Sequence, residues 1–503
     1  MREAGDSVVT ITEDPMTIEE LLEIARGEAV ELGPPALECI DASRAVVEAA
    51  LAGGGPVYGL NTGLGHNKDV RLPDDDLRRL QETTLANHAG GVGPPLGTEL
   101  VRAAMAVRVN GIARGGSGAS MLAAQTLVDM LNRGVHPVVA SFGSVGAGDL
   151  GQMAEIALVA IGRGRAEHDG ATLDGAVALA RAGIAPHTLQ PKDGLTLMSA
   201  NGVSIGHGAF VIERAERLAD LVDRAAALSL EAIGGNPSII HPAVSSAKPF
   251  GGQLEASLHI ASLLEGSYLL EEERPSVQDP LSFRVVPQVH GALREFLSIA
   301  RDAVEVELNS QSDNPLVSIE DAAMIHNGNF HPAVMALAFD GLRIAIAHAA
   351  QLSERRMSHL WDATFAHPSF TTAADEPAAR ALLGLSLRYP AAALFAEVKG
   401  LAQPATLDVP PLDIGVEDHA TGAPITVRAT ERTLDLAEDV AVIEILLARG
   451  LVTLGEAHPP RGKGTAALLE VVDAALADLP GDASAADALM RTRARLKAAF
   501  PAG

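Results

Sequence analysis

Residues 211–225 read Val211-Ile212-Glu213-Arg214-Ala215-Glu216-Arg217-Leu218-Ala219-Asp220-Leu221-Val222-Asp223-Arg224-Ala225, and their spacing decides the fold class. Val211, Ala215, Leu218, Val222 and Ala225 recur at steps of four and three, which lines them up as one apolar stripe of a helix. Leu436, Val440, Ile443 and Leu447 repeat the pattern. Around these stripes alanine is abundant and aromatic residues are only 3%, a mixture suited to close-packed helices rather than sheets. The expected class is all-α, a helical bundle.

Outward from the stripes, Val8 to Thr12 is β-prone, and an acidic helix is expected from Thr17, with Pro15 as punctuation. Pro/Gly-rich breaks at Gly53–Pro56, Gly90–Pro95, Gly143–Gly151 and Pro404–Pro411 are places where a helical scaffold presents loops. Segments 335–356 and 420–450 are expected as long helices that need partners beyond one chain. With 503 residues, 47% apolar and 20% charged, the chain folds around a large interior, about three modules at roughly 150 residues each. The net charge of −26 repels phosphate backbones and excludes nucleic acid as a partner. The single cysteine, Cys39, excludes an intrachain disulfide framework and a cysteine metal cage. The acidic start MREAGDSVVTITEDP is unlike a secretory signal, and no uninterrupted apolar run of about 18 residues occurs, so a cytoplasmic protein without membrane contact is expected.

Gly146-Ala147-Gly148-Asp149-Leu150-Gly151 is a literal G-x-G-x-x-G after the β-prone Pro137-Val138-Val139-Ala140, but no series of alternating strands and helices surrounds it. The 16 histidines form no H-E-x-x-H, so no catalytic metal is expected.

Seven other segments are informative together. They are Tyr58-Gly59-Leu60-Asn61-Thr62-Gly63-Leu64-Gly65, Asn87-His88-Ala89-Gly90-Gly91-Val92-Gly93, Gln278-Asp279-Pro280-Leu281-Ser282-Phe283-Arg284 with Pro287-Gln288-Val289-His290-Gly291, Asn309-Ser310-Gln311-Ser312-Asp313-Asn314-Pro315-Leu316, Gly328-Asn329-Phe330-His331, Leu352-Ser353-Glu354-Arg355-Arg356 and Glu417-Asp418-His419. In order and content they resemble the histidine/phenylalanine/tyrosine ammonia-lyase family. The resemblance implies a small N-terminal domain around an active-site loop (1–205), a central long-helix bundle (206–460) and a C-terminal helical part (461–503). It also implies a homotetramer whose sites combine three subunits, with Tyr58 as general base on a mobile loop.

The family's prosthetic group, a methylidene-imidazolone, forms when an Ala-Ser-Gly tripeptide cyclises and loses water, and the serine supplies the electrophilic carbon. Here Gly143-Ser144-Val145-Gly146-Ala147-Gly148-Asp149-Leu150 resembles that segment with the serine deleted. Gly148 has no β-carbon, and Ser144 is followed by branched Val145 where ring closure needs glycine. Leu281 stands where the family has tyrosine, and Ser199-Ala200-Asn201 where it reads I-N-G. Ala147, Gly148 and Asp149 therefore form a degenerate segment, and no cofactor is expected.

The expected catalytic groups are Tyr58, Glu417 and Asp149, the last with an alternative role as N-cap of the helix from Leu150. His88, Asn201, Gln278, Arg284, Asn309 and Phe330 are the expected substrate-binding groups, Arg284 clamping a carboxylate through its planar fork. The expected function is lyase-like elimination or addition at the α,β carbons of an amino acid or related carboxylate whose leaving group or α-proton is already activated. Leu64 and Leu281 replace rings, which favours a smaller or aliphatic substrate. A silent ligand-binding or partner subunit, a dinucleotide binder and a conventional ammonia-lyase with another route to its group remain open.

Overall fold

The computed structural model describes residues 8–71, 77–271, 277–372, 383–454, 459–480 and 483–501, and they are mainly helical. Contacts divide the chain into two units, the first Met1–Phe210, Arg301–Leu337 and Ala405–Arg428, the second Val211–Ala300, Ala338–Pro404 and Ala429–Gly503. The division differs from three consecutive segments because two later excursions return to the N-terminal unit.

In the first unit, Val8–Ile11 pairs in parallel with Ala29–Leu32, and the helix Ile18–Arg26 connects them. Thr17 starts that helix with a capping box closed by Glu20, which satisfies exposed amide donors at its first turn. The helix Thr98–Ala113 is buried along most of its length. Its charges are answered: Arg108 grips Asp313 through two bonds of 3.1 and 2.9 Å, and Arg102 donates to Ile24 O and Leu131 O, both at 2.7 Å. The strand before the glycine-rich segment, Ala140–Phe142, runs antiparallel to Val92–Pro95. The parallel strand a dinucleotide site requires is therefore missing at this place.

In the second unit both sequence stripes are buried, Val211, Ala215, Leu218, Val222 and Ala225 on one helix and Leu436, Val440, Ile443 and Leu447 on another. Val440, Ile443, Leu446 and Leu447 pack with Met357 and Leu360 in one cluster; each such side chain contributes about 1.5–3 kcal/mol through burial. Inside this unit Arg356 meets Glu444 at 2.6 and 2.9 Å, a buried charge answered by a buried charge. The C-terminal helices Lys463–Ala477 and Ala485–Ala499 pack on each other, the second begun by a Ser484–Asp487 capping box. Ala333–Ala366 and 193–233 are long and apolar enough to cross a membrane, yet their apolar windows are 61% and 94% buried inside the chain, as core helices are.

Candidate active site

A cavity of about 920 Å³ opens in the first unit. One wall is the loop that follows the helix Pro34–Ala52. Asn61 folds this loop on itself, its Nδ2 donating to Gly55 O at 2.8 Å while its Oδ1 accepts the Val57 N–H at 2.7 Å. That turn presents Tyr58, whose Oη accepts the Gly65 N–H at 3.2 Å. Gly65 has φ +55°, and a β-carbon there would lie 2.0 Å from Asp413 Oδ2, so only glycine lets the loop approach that carboxylate.

Opposite runs the strap 412–417, held by Leu412 N–H to Glu417 O at 2.8 Å. Three successive residues are left-handed, Asp413 at φ 44°, Ile414 at 56° and Gly415 at 79°. The β-branched Ile414 is strained in this region. Asp413 and Glu417 both line the cavity. Burial raises the Glu417 pKa, Asp413 adds to the rise and His88 opposes it. Burial likewise raises Tyr58, the Gly65 bond opposes it, and Glu417 and Asp413 add to it, so the phenol holds its proton in neutral water. His88 closes the helix Leu77–His88 with its Nδ1 2.8 Å from Thr84 O. A carbonyl only accepts, so Nδ1 carries the proton and Nε2 is the acceptor of the neutral ring.

The floor is the glycine-rich segment, with Ser144, Ala147 and Gly148 lining the cavity. Ser144 Oγ donates to Gly148 O and accepts from Gly146 N–H, both at 3.1 Å. The Asp149 N–H, the nitrogen that would close a ring onto Ala147, donates to Ala200 O at 2.8 Å. Gly148 offers no β-carbon from which water could be lost, and the segment's one hydroxyl is held in a turn. These residues do not fit a methylidene-imidazolone.

Tyr58, His88, Phe330 and Glu417 thus meet at one cavity. Asp149 does not line it. Its carboxylate is fully buried and accepts the Ser204 N–H at 2.7 Å and Ser204 Oγ at 3.0 Å, so it caps the helix that starts at Gly202 and makes no side-chain cap for its own. Burial raises its pKa against those bonds. Asn201 is buried behind the lining and donates to Phe330 O at 3.0 Å. Asn309 is a tie: it donates to Met16 O and Glu305 O, and its Oδ1 accepts from Met16 N–H and Arg114 Nη2. The asparagine of that motif at the cavity is Asn314. Gln278 and Arg284 belong to the second unit and bond to each other. Sequence reading missed Asp413, which belongs to no quoted motif; its position four residues before Glu417 in a Pro/Gly-flanked loop was the available signal.

Residues 16–474 match the aromatic amino acid lyase family profile. Histidine ammonia-lyase of Gloeobacter violaceus is 40% identical over 473 residues, 93% of this chain and 91% of its own. Histidine ammonia-lyase of Myxococcus xanthus is 38% identical over 469 residues, 92% of each chain. Among solved structures, the ergothioneine-degrading ergothionase from Treponema denticola superposes with a TM-score of 0.89 at 27% identity, covering 98% of this chain and 99% of that one. Tyrosine aminomutase from Streptomyces globisporus gives 0.89 at 27% identity over 98% and 97%.

Proposed function

Because the chain belongs to the aromatic amino acid lyase family, whose relatives here are carbon–nitrogen lyases, we propose that it expels an already activated ammonium group from a histidine-type acid, without a methylidene-imidazolone. The observation that carries this reading is the side-chain-free Gly148 on the floor of a cavity that keeps Tyr58, His88 and Glu417.

An ordinary α-amino acid has a weakly acidic β-proton and a poor amine leaving group. Acid–base groups contribute roughly 10²–10⁴ in rate, short of the 10⁶ or more that enzymes reach. A quaternary ammonium needs less help, since it departs as a neutral tertiary amine. It is also a permanent cation, which suits a cavity lined by Asp413 and Glu417. Its charge offsets the two carboxylates that add to the burial-raised pKa of Tyr58, lowering the phenol's pKa when substrate binds. Tyr58 as phenolate then takes the β-proton, the C–H electron pair becomes the new double bond, and the C–N pair leaves with the amine.

The histidine-type body, in place of the aliphatic one expected from Leu64 and Leu281, follows the histidine ammonia-lyase and ergothioneine-degrading relatives. Arg284 takes the carboxylate, contributed by another copy within a homotetramer. Val334, Leu337 and Ile344, exposed by 69%, 63% and 40% at helical spacing, support such an interface. A cytoplasmic location goes with this reading.

The test offers purified protein ergothioneine and histidine, follows the ultraviolet absorbance of a conjugated acrylic acid, and measures the intact mass. Expected are product from the quaternary ammonium acid alone and a mass equal to the encoded chain. Turnover of histidine by a chain two waters short would overturn the reading, and inertness toward both acids would sink the proposed substrate class.

A further inference from the structure

The second unit contains a separate cavity of about 430 Å³, between the helix residues 214–224, the helix residues 435–442 and the C-terminal helix Ala485–Ala499 with Phe500. Its size is that of a small-molecule site. Leu218, Leu221, Val442, Met490 and Phe500 give it an apolar lining. Most of its guanidinium groups are answered from within the chain. Arg214 bonds Asp435 at 2.7 Å, Arg493 bonds Glu438 at 2.6 Å, and Arg217 pairs with Glu213 at 3.0 Å.

Arg224 differs. Its guanidinium carbon lies 3.9 Å from the Phe500 ring centroid, stacked on that face. Its Nε is buried without a hydrogen-bond partner among the described residues. A buried donor left unmet is a position that an anionic acceptor fills. Stacking holds the planar fork in place, so little ordering remains for a carboxylate to impose.

We propose that this cavity binds a small amphipathic monocarboxylate, with its carboxylate on Arg224 and its apolar body against Leu218, Leu221, Val442 and Phe500. The cavity lies wholly within the second unit and shares no residue with the Tyr58 cavity. An apolar body excludes inorganic anions as preferred ligands, and the acidic neighbours Asp435 and Glu438 disfavour di- and tricarboxylates.

The experiment is calorimetric titration of the full chain with 3-phenylpropionate at fixed ionic strength, beside Arg224→Met, Ala494→Phe and Tyr58→Phe. Arg224→Met keeps length and packing while removing the charge, and Ala494→Phe fills the cavity from an exposed lining position. A saturable event of one per chain is expected in the parent and in Tyr58→Phe, and about tenfold or more weaker in the other two variants. A melting curve for each variant shows that it is folded. Binding unchanged in both Arg224→Met and Ala494→Phe overturns the proposal, as does binding lost only in Tyr58→Phe. A structure of the assembled protein with a neighbouring copy's side chain in the cavity overturns it too.

Discussion

Asp223 in the second unit is fully buried, Glu417 in the first is exposed at the cavity and only partly desolvated, and the two acids titrate in opposite directions. Burial raises Asp223, but bonds from His259 at 2.9 Å and His290 at 2.6 Å, with the charge of Arg294, more than reverse the effect and hold it at about 2. Glu417 is also raised by burial, and its near neighbour is a second carboxylate, so the rise remains. The lesson is that burial does not determine what an acid does; its partners do. A carboxylate whose acceptors are filled is a structural tie, and one left beside a like charge is a reactive group.

The largest expected effect sharpens the reactive side. Tyr58→Phe removes the proton acceptor and lowers kcat by about 10²–10⁴, while the melting temperature stays within a degree or two; a variant as active as the parent removes Tyr58 from the chemistry. Next comes the structural side. Asp223→Ala takes the carboxylate partner from the buried His290 and leaves Arg294 only the more exposed Asp220 and Glu255, and it destabilises the chain by about 3–5 kcal/mol in denaturant titrations. Because the folded pKa of Asp223 lies at about 2, below its ordinary 3.8, its contribution of about 2 kcal/mol is present above pH 4 or so and is lost as pH falls toward 2. A parent and variant with the same acid-unfolding midpoint would break the comparison.

Asn309→Ala tests a residue expected at the substrate and found as a tie. It should cost about 1–3 kcal/mol of stability through the Met16 and Arg114 partners it abandons, with KM unchanged; a raised KM at unchanged stability would restore the binding role. The smallest effect is expected from Asp413→Asn. Removing this carboxylate lowers the raised pKa of both Tyr58 and Glu417, so the rise of kcat/KM toward alkaline pH begins at a lower pH. KM for a cationic substrate should rise at the same time.

The helical class was legible because buried stripes leave a period, and Val211 through Ala225 keep theirs whatever they pack against. The loops bearing Tyr58, His88 and Glu417 were legible because a turn that must present a polar group needs a particular string of glycines and asparagines, Asn61 and Gly65 among them. What could not be read was the destination of each polar atom. Asn309 and Asn314 stand in one motif, yet one ties the chain and the other lines the cavity. Asp149, expected as a catalytic group or as the cap of its own helix, lies off the cavity and caps the helix that starts at Gly202 through Ser204. These outcomes depend on residues distant in sequence, which no local pattern encodes. The two-unit division was hidden for the same reason, since segments 301–337 and 405–428 return to the first unit from far along the chain.

The left-handed Ile414 carries a mechanical consequence. A β-branched residue in that region stores of order 1–3 kcal/mol of torsion, held by the Leu412–Glu417 pairing on either side. The strap is in effect a wound spring with Glu417 at one end, and its pairing is weakened by whatever tension it restrains. Ile414→Gly would slacken it without removing a charged group, leaving the carboxylate at the cavity under less load.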